Sequence, residues 1–204
     1  CLITVIGQSC STKKNTLTRR AYHNMTAHYN VFFNAKEAFK SGEKSVEETH
    51  KDDYSNIIPL FLYSDKEACN SVSGKMDRAV EKCSKLIKLH SITARPKMTG
   101  AQLNSKQKEF YSKKDYCNWV DDSYMLMGKA YLYKHDYSLA NKNFSFVLNE
   151  FKYSELKYPA ALWLARSKTE EGDTEDAEEV LDKIIQDPAF PEHLKPEFAV
   201  VYAN

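Results

Sequence analysis

The chain has 204 residues, 42% of them hydrophobic and 28% charged, which suits one folded domain, or a small domain and part of a second, and excludes a disordered chain. Pro and Gly, six of each, are too scarce for a many-turned β fold; they favour long helices, whose packing layers the 13 Tyr and 10 Phe would fill. A net charge of +1 leaves no global field to attract nucleic acid, so that partner class is set aside.

The first ten residues, Cys1-Leu2-Ile3-Thr4-Val5-Ile6-Gly7-Gln8-Ser9-Cys10, are apolar but too few to span a bilayer. They suit the tail of a signal-peptide apolar region followed by a small residue and a cysteine. Cys10 is read as the lipidated first residue of the mature protein, its thiolate accepting a diacylglyceryl group and Ser9 fitting the signal peptidase. Gly7 stands where a larger aliphatic residue is more usual. The competing reading is an ordinary buried first element, but the polar run Ser11–Thr16 favours a solvated tether. The first segment, 1–21, is therefore taken as signal-peptide remnant and lipid-anchored tether. Beyond Cys1 and Cys10 there remain Cys69, Cys83 and Cys117, an odd set with no CxxC pair; a bridge between Cys69 and Cys83 stays open.

A second segment, 22–94, reads as helical and as a degenerate repeat. From about Tyr22 to Lys40, Met25, Tyr29, Phe32, Phe33 and Phe39, with Ala35 and Ala38, recur at three- and four-residue steps, and Gly42 is expected to end that helix. A mostly charged helix should start near Ser45. Tyr54, Ile57, Ile58, Leu60, Phe61 and Leu62 then form an apolar cluster broken by Pro59. After Ser73-Gly74 comes a clean amphipathic helix, with Met76, Ala79, Val80, Cys83, Leu86, Ile87 and His90 on one stripe. Segment 95–114 holds Pro96, Gly100, six Lys or Arg and a single acid, Glu109. It predicts an exposed basic connection with a short helix at Ser105–Tyr111, either merely solvated or suited to an acidic partner or anionic lipid.

Segment 115–204 repeats. Tyr124, Met127, Gly128 and Tyr131 fall on a first helix, Lys134–Tyr137 on a turn, and Ala140, Phe144 and Val147 on a second helix. A shift of 37 residues puts Ala161, Leu164 and Ala165 on another first helix, Glu171–Thr174 on a turn, and Ala177, Leu181 and Ile184 on another second helix, closed by Pro188. Small residues stand where helices cross closest and large ones where hairpins stack, which is the tetratricopeptide pattern. The expected fold is all-α, a tetratricopeptide-like α-solenoid of helical hairpins with an extended N-terminal tether. Pro196–Asn204 starts a further first helix with no second helix after it, so the natural chain is expected to continue.

Three stretches carry a family resemblance: the lysine-bearing tether Cys10-Ser11-Thr12-Lys13-Lys14-Asn15-Thr16, then Leu86-Ile87-Lys88-Leu89-His90-Ser91-Ile92, then Trp119-Val120-Asp121-Asp122-Ser123-Tyr124-Met125-Leu126-Met127-Gly128-Lys129. Together they resemble the N-terminal region of the PorW/SprE family, tetratricopeptide lipoproteins of the type IX secretion and gliding machinery of Bacteroidota. The landmarks run from Cys10 to about Lys129, with generic repeats after that. The resemblance implies an outer-membrane lipoprotein, facing the periplasm, that helps assemble or couple the secretion translocon. It also implies a natural chain much longer than this one. Ser11 is not the aspartate that retains lipoproteins at the inner membrane, and no acidic cluster follows Cys10.

Enzyme signatures are missing: no Gly-rich phosphate loop, GxSxG or HExxH. His23 and His28, five apart, do not share a helix face, and Cys83 with His90 reads better as core than as a metal site. Asp121-Asp122 suits a helix N-terminus. A non-catalytic scaffold binding other proteins leads, with no cofactor, no metal and no ligand besides the lipid on Cys10; the runner-up is a periplasmic peptide- or glycan-binding repeat module. The predicted protein-binding groove takes first-helix residues facing neither the second helix nor the next repeat: Asp122, Met125, Lys129 and Tyr133, then Leu162, Arg166, Thr169 and Glu170. Tyr133 would anchor a partner segment while Lys129 and Arg166 steer it. The bland alternatives are a solvated face, or one covered by the basic connection folding back.

Overall fold

The computed structural model describes residues 11–97 and 102–203. Cys10, Gly100 and Asn204 lie outside the described residues, and with them the expected lipidation site. The described residues are helical with no strand. None of their helices is long and apolar enough to cross a membrane.

The first helix differs from expectation at both ends. It starts at Leu17, inside the expected tether, because the Thr16 hydroxyl accepts the Arg19 N–H and caps it. It then runs on to Thr49 as α1 (Leu17–Thr26), a π-helical turn (Ala27–Phe32) and α2 (Phe33–Thr49). The π turn adds one residue to the helical circuit. Phe32 is thereby buried against the Trp119 ring at 5.2 Å while Phe33 stays 54% exposed. Gly42 does not end the helix, and no new helix starts near Ser45. Gly42 is a buried interior position, where an added Cβ would stand 2.6 Å from the Met76 methyl. The missing side chain lets another helix approach there. The tether, too, is partly docked: Asn15 donates to the Ala94 carbonyl at 2.7 Å, and Arg19 to the Ser11 carbonyl at 2.9 Å.

That approaching helix is α4 (Ser73–His90), reached through the short α3 (Lys66–Asn70), whose N-cap is Asp65. Of the expected stripe, Met76, Ala79, Cys83, Leu86 and His90 are buried, and Val80 and Ile87 are half-buried against the core. The basic connection carries α5 (Ser105–Ser112), opened by a reciprocal capping box between Asn104 and Gln107. It then turns back at Asp115, whose carboxylate accepts from the Ser91 hydroxyl and from the Ile92 and Cys117 N–H groups. Cys69, Cys83 and Cys117 are all free and buried, so the open bridge does not form.

Four further helices follow as two hairpins, α6 (Val120–Tyr133) with α7 (Tyr137–Glu150) and α8 (Lys157–Glu171) with α9 (Thr174–Ile185). The 37-residue shift extends to the backbone. His135 and Gly172 both take left-handed φ, +56° and +93°. One residue later, Asp136 N–H bonds to Tyr131 O at 3.0 Å and Asp173 N–H to Lys168 O at 2.9 Å, the same five-residue span. Ala140 and Ala177, Phe144 and Leu181, and Val147 and Ile184 are buried in pairs. A last helix, α10 (Lys195–Tyr202), seats Phe198 edge-on against Phe190 at 5.0 Å.

Ala27, Phe39, Met76, Leu86, Met127, Phe144 and Leu164 belong to one apolar cluster, so the N-terminal helices and the first hairpin are not separate packing units. Leu162, Leu181 and Phe198 form a second cluster around α8, α9 and α10. At the centre, Gly128 lies under the fully buried Phe144 ring; a Cβ there would stand 2.5 Å from its Cε1.

The two buried glycines should respond differently to alanine. At position 128 the obstruction is a rigid ring in a filled core, so Gly128→Ala should cost about 1–3 kcal/mol by overpacking. At position 42 it is the flexible end of a methionine. Gly42→Ala should fall within about 1 kcal/mol of the parent, since Ala gains helix propensity as Met76 shifts. Urea unfolding of both variants reads the contrast, and equal effects would mean that the crossing at Gly128 is loose.

Candidate functional site

The predicted groove is brought together in part, but it is not open. Met125 is 5% exposed, Leu162 2% and Tyr133 7%. The reason is a contact far apart in sequence. The inner ends of α6 and α8 are covered by α2 and by the segment Phe61–Ser64, and not by the described residues of the basic connection. Tyr133 meets the Phe39 ring edge-on at 5.5 Å and Tyr63 at 5.9 Å, and its hydroxyl donates to Glu43 at 3.3 Å. The Ser64 hydroxyl donates to Glu170 at 2.5 Å. Lys129 lies over the Trp163 ring at 4.4 Å, and Arg166 lies between Phe61 at 4.6 Å and Trp163 at 4.9 Å.

Lys129, Tyr133, Arg166 and Glu170 thus share one internal site with Glu43, Phe61, Tyr63 and Trp163. The remaining four do not join it. Met125 and Leu162 are core, the Thr169 hydroxyl donates to Ala165 O in its own helix, and Asp122 sits in the first turn of α6. Phe61 was visible as an apolar residue after Pro59, but nothing local says which surface it covers. Glu43 and Trp163 gave no signal beyond residue type. His50 fixes the covering segment: it caps the end of α2 and bonds to Asp65 at 2.6 Å.

The electrostatics are those of a closed interface. Burial pulls the Lys129 ammonium below its ordinary value, and the Glu43 charge opposes that. Burial pushes the Glu43 carboxyl up, opposed by Lys129 and the Tyr133 hydrogen bond. The Tyr63 hydroxyl and Arg166 Nε are buried with no hydrogen-bond partner among the described residues.

The accessible concavity lies elsewhere. A cleft of about 710 Å³ opens between the basic connection, the start of α6 and the loop joining α7 to α8. Arg95, Lys113, Lys152 and the 58%-exposed Tyr153 stand on its walls. Lys114 is paired with Glu150 at 2.5 Å. Asp121 accepts from the Ser154 hydroxyl at 2.6 Å, and burial raises its pKa. Cys117 also lines the cleft, but burial pushes its thiol up to about 12, so it is no nucleophile at neutral pH. Among the described residues no cluster of three or more His, Cys, Asp or Glu could hold a metal.

Asp122 gives a pH test of this region. Burial first, and then the Asp121 charge, raises its pKa to about 6. A carboxyl raised on folding favours the folded state most below its unfolded pKa, and that advantage is lost as pH rises through about 6. Asp122→Asn should therefore be more stable than the parent at pH 7.5, by about 1–3 kcal/mol. The gap should close near pH 4. Urea melts of both proteins at the two pH values check it, and a gap independent of pH would contradict it.

The sequence matches no protein-family model, and no curated protein matches it.

Proposed function

We propose that the chain is a tetratricopeptide-like repeat scaffold that binds other proteins and catalyses nothing itself. We further propose that it is an accessory lipoprotein of a type IX secretion or gliding machinery, held at the periplasmic face of the outer membrane through Cys10. The observation that carries the repeat reading is the 37-residue equivalence of the two hairpins, down to the left-handed residues His135 and Gly172 and the hydrogen bonds that follow them. An array of equivalent hairpins is a device for presenting surface, with each unit buried only against its neighbours. The secretion assignment and the lipid anchor rest on the resemblance and on the Cys10 segment.

With the inner ends of α6 and α8 covered, partner capture is assigned to the cleft beside the basic connection. Arg95, Lys152 and Tyr153 are the exposed side chains best placed for it. Combined Arg95→Glu, Lys152→Glu and Tyr153→Ala substitution should abolish crosslinked capture from membranes while helicity and melting stay at parental values. The recovered partner should be a translocon protein, identified by mass spectrometry. Unchanged capture by the folded triple variant would move the interface elsewhere, and recovery of soluble ligands alone would favour a peptide- or glycan-binding module. Cys10→Ala should lose acyl label and become extractable by salt where the parent needs detergent; detergent dependence without label would end the lipoprotein reading.

A further inference from the structure

The long N-terminal helix buries one face against α4 and leaves another with no neighbour among the described residues. Tyr22, Met25, Tyr29 and Phe33 are 45%, 60%, 67% and 54% exposed. Their spacing of three, four and four residues puts them on one helix face, over roughly 16 Å of axis. The other exposed residues between Thr18 and Asn34 are Thr, Ala and Asn, so the face carries no charge. Arg19, three residues before Tyr22, extends the face with a cation, and beyond Phe33 the exposed Lys36, Glu37 and Lys40 follow, two cations to one acid.

Charge says what covers it. Residues 11–36 contain Lys13, Lys14, Arg19, Arg20 and Lys36 and no acid. The described part of the basic connection meets this helix at Phe110, and the residues on either side of the connection are tied to the N-terminal segment. Asn15 donates to the Ala94 carbonyl, Arg20 lies over the Phe110 ring at 5.1 Å, and the Asn118 N–H bonds to Asn24 at 2.6 Å. Two segments distant in sequence thus form one basic surface. It holds eleven of the 29 Lys and Arg but one of the 28 Asp and Glu. The opposite bias lies in α9, where Glu175, Asp176, Glu178, Glu179 and Asp182 face a single Lys183. In a chain of net charge +1 this is a strong separation of charge along the molecule.

We propose that the Tyr22–Phe33 face lies on an anionic phospholipid surface, its aromatic and Met side chains in the headgroup region and Lys13, Lys14, Arg19 and Lys36 over the lipid charges. Aromatic rings with polar edges and long cationic chains that reach sideways are the groups that such an interface accommodates. The acidic α9 is then repelled from the same surface and held toward solution. This docking goes beyond the scaffold reading and needs no acyl group on Cys10.

The test uses the full 204-residue chain carrying Cys10→Ala, so that no lipid is attached. It is floated with phosphatidylcholine vesicles containing 30 mol% phosphatidylglycerol, and with vesicles of phosphatidylcholine alone. Binding to the anionic vesicles and its loss in 0.5 M salt are expected. Met25→Ser/Tyr29→Ser/Phe33→Ser should weaken that binding about tenfold or more, and so should Lys13→Gln/Lys14→Gln/Lys36→Gln. All six positions are exposed, and circular dichroism checks that both variants fold. Equal binding to both vesicle types, or parental binding by the serine variant, would overturn the proposal. So would a vesicle-independent dimer abolished by the serine substitutions, which would assign the face to a second copy of the chain.

Discussion

The packing of this protein turns on the absence of a side chain at residue 128. With no Cβ, α6 lets the Phe144 ring settle directly on its backbone, and Phe144 is fully buried as a result. That close crossing lets α6 be covered from several directions at once. α4 lies on one flank, where Ser84 reaches Met127 and Asp77 pairs with Lys134. α7 lies on another, and Tyr133 at the end of α6 is roofed by Phe39 and Tyr63. A helix surrounded in this way is apolar nearly all round, which is why its sequence has only a weak amphipathic signature. The N-terminal helices and the repeated hairpins share a core because both lean on this one element.

Features set by neighbours in sequence were legible before any coordinates. The α4 stripe, the short helix in the connection and the 37-residue shift depend on residue spacing, on caps and on alternation of large and small side chains. What was not legible depended on contacts between distant residues. Gly42 looked like a helix stop because glycine favours one locally. The approach of Met76, more than thirty residues away, turns the same residue into a contact point. Periodicity placed Met25, Tyr29 and Phe33 on an apolar face but carries no information on whether a partner helix exists there. The groove residues were grouped correctly in part, with Lys129, Tyr133, Arg166 and Glu170 converging. Their burial follows from Phe61–Ser64, whose destination no local pattern encodes.

The covered site and the open cleft differ in the kind of free energy they hold. In the first, two opposite charges, Glu43 and Lys129, have both lost solvation, and each is moved toward its neutral form. Each charge offsets part of the other's desolvation, so removing either one would leave the other buried and less compensated. In the second, cations remain in water and retain long-range reach. An interior of the first kind fixes how α2 sits on α6 and α8, whereas a rim of the second kind can recruit a charged segment from a distance without being rebuilt.

The π turn between α1 and α2 has a consequence for how this surface could vary. It accommodates one residue more than an ordinary helix would in the same length. Deleting one residue from Ala27–Phe32 would therefore close the wide turn into an ordinary one and leave the preceding residues facing as they do now. His23 would keep its packing on His90, and the exposed row of the first helix would stay outside. Winding all the present residues as unbroken α-helix would instead turn everything before the bulge by about 100° and carry His23 away from its neighbour. The surplus residue is thus a phase setting that keeps two halves of one rod in step.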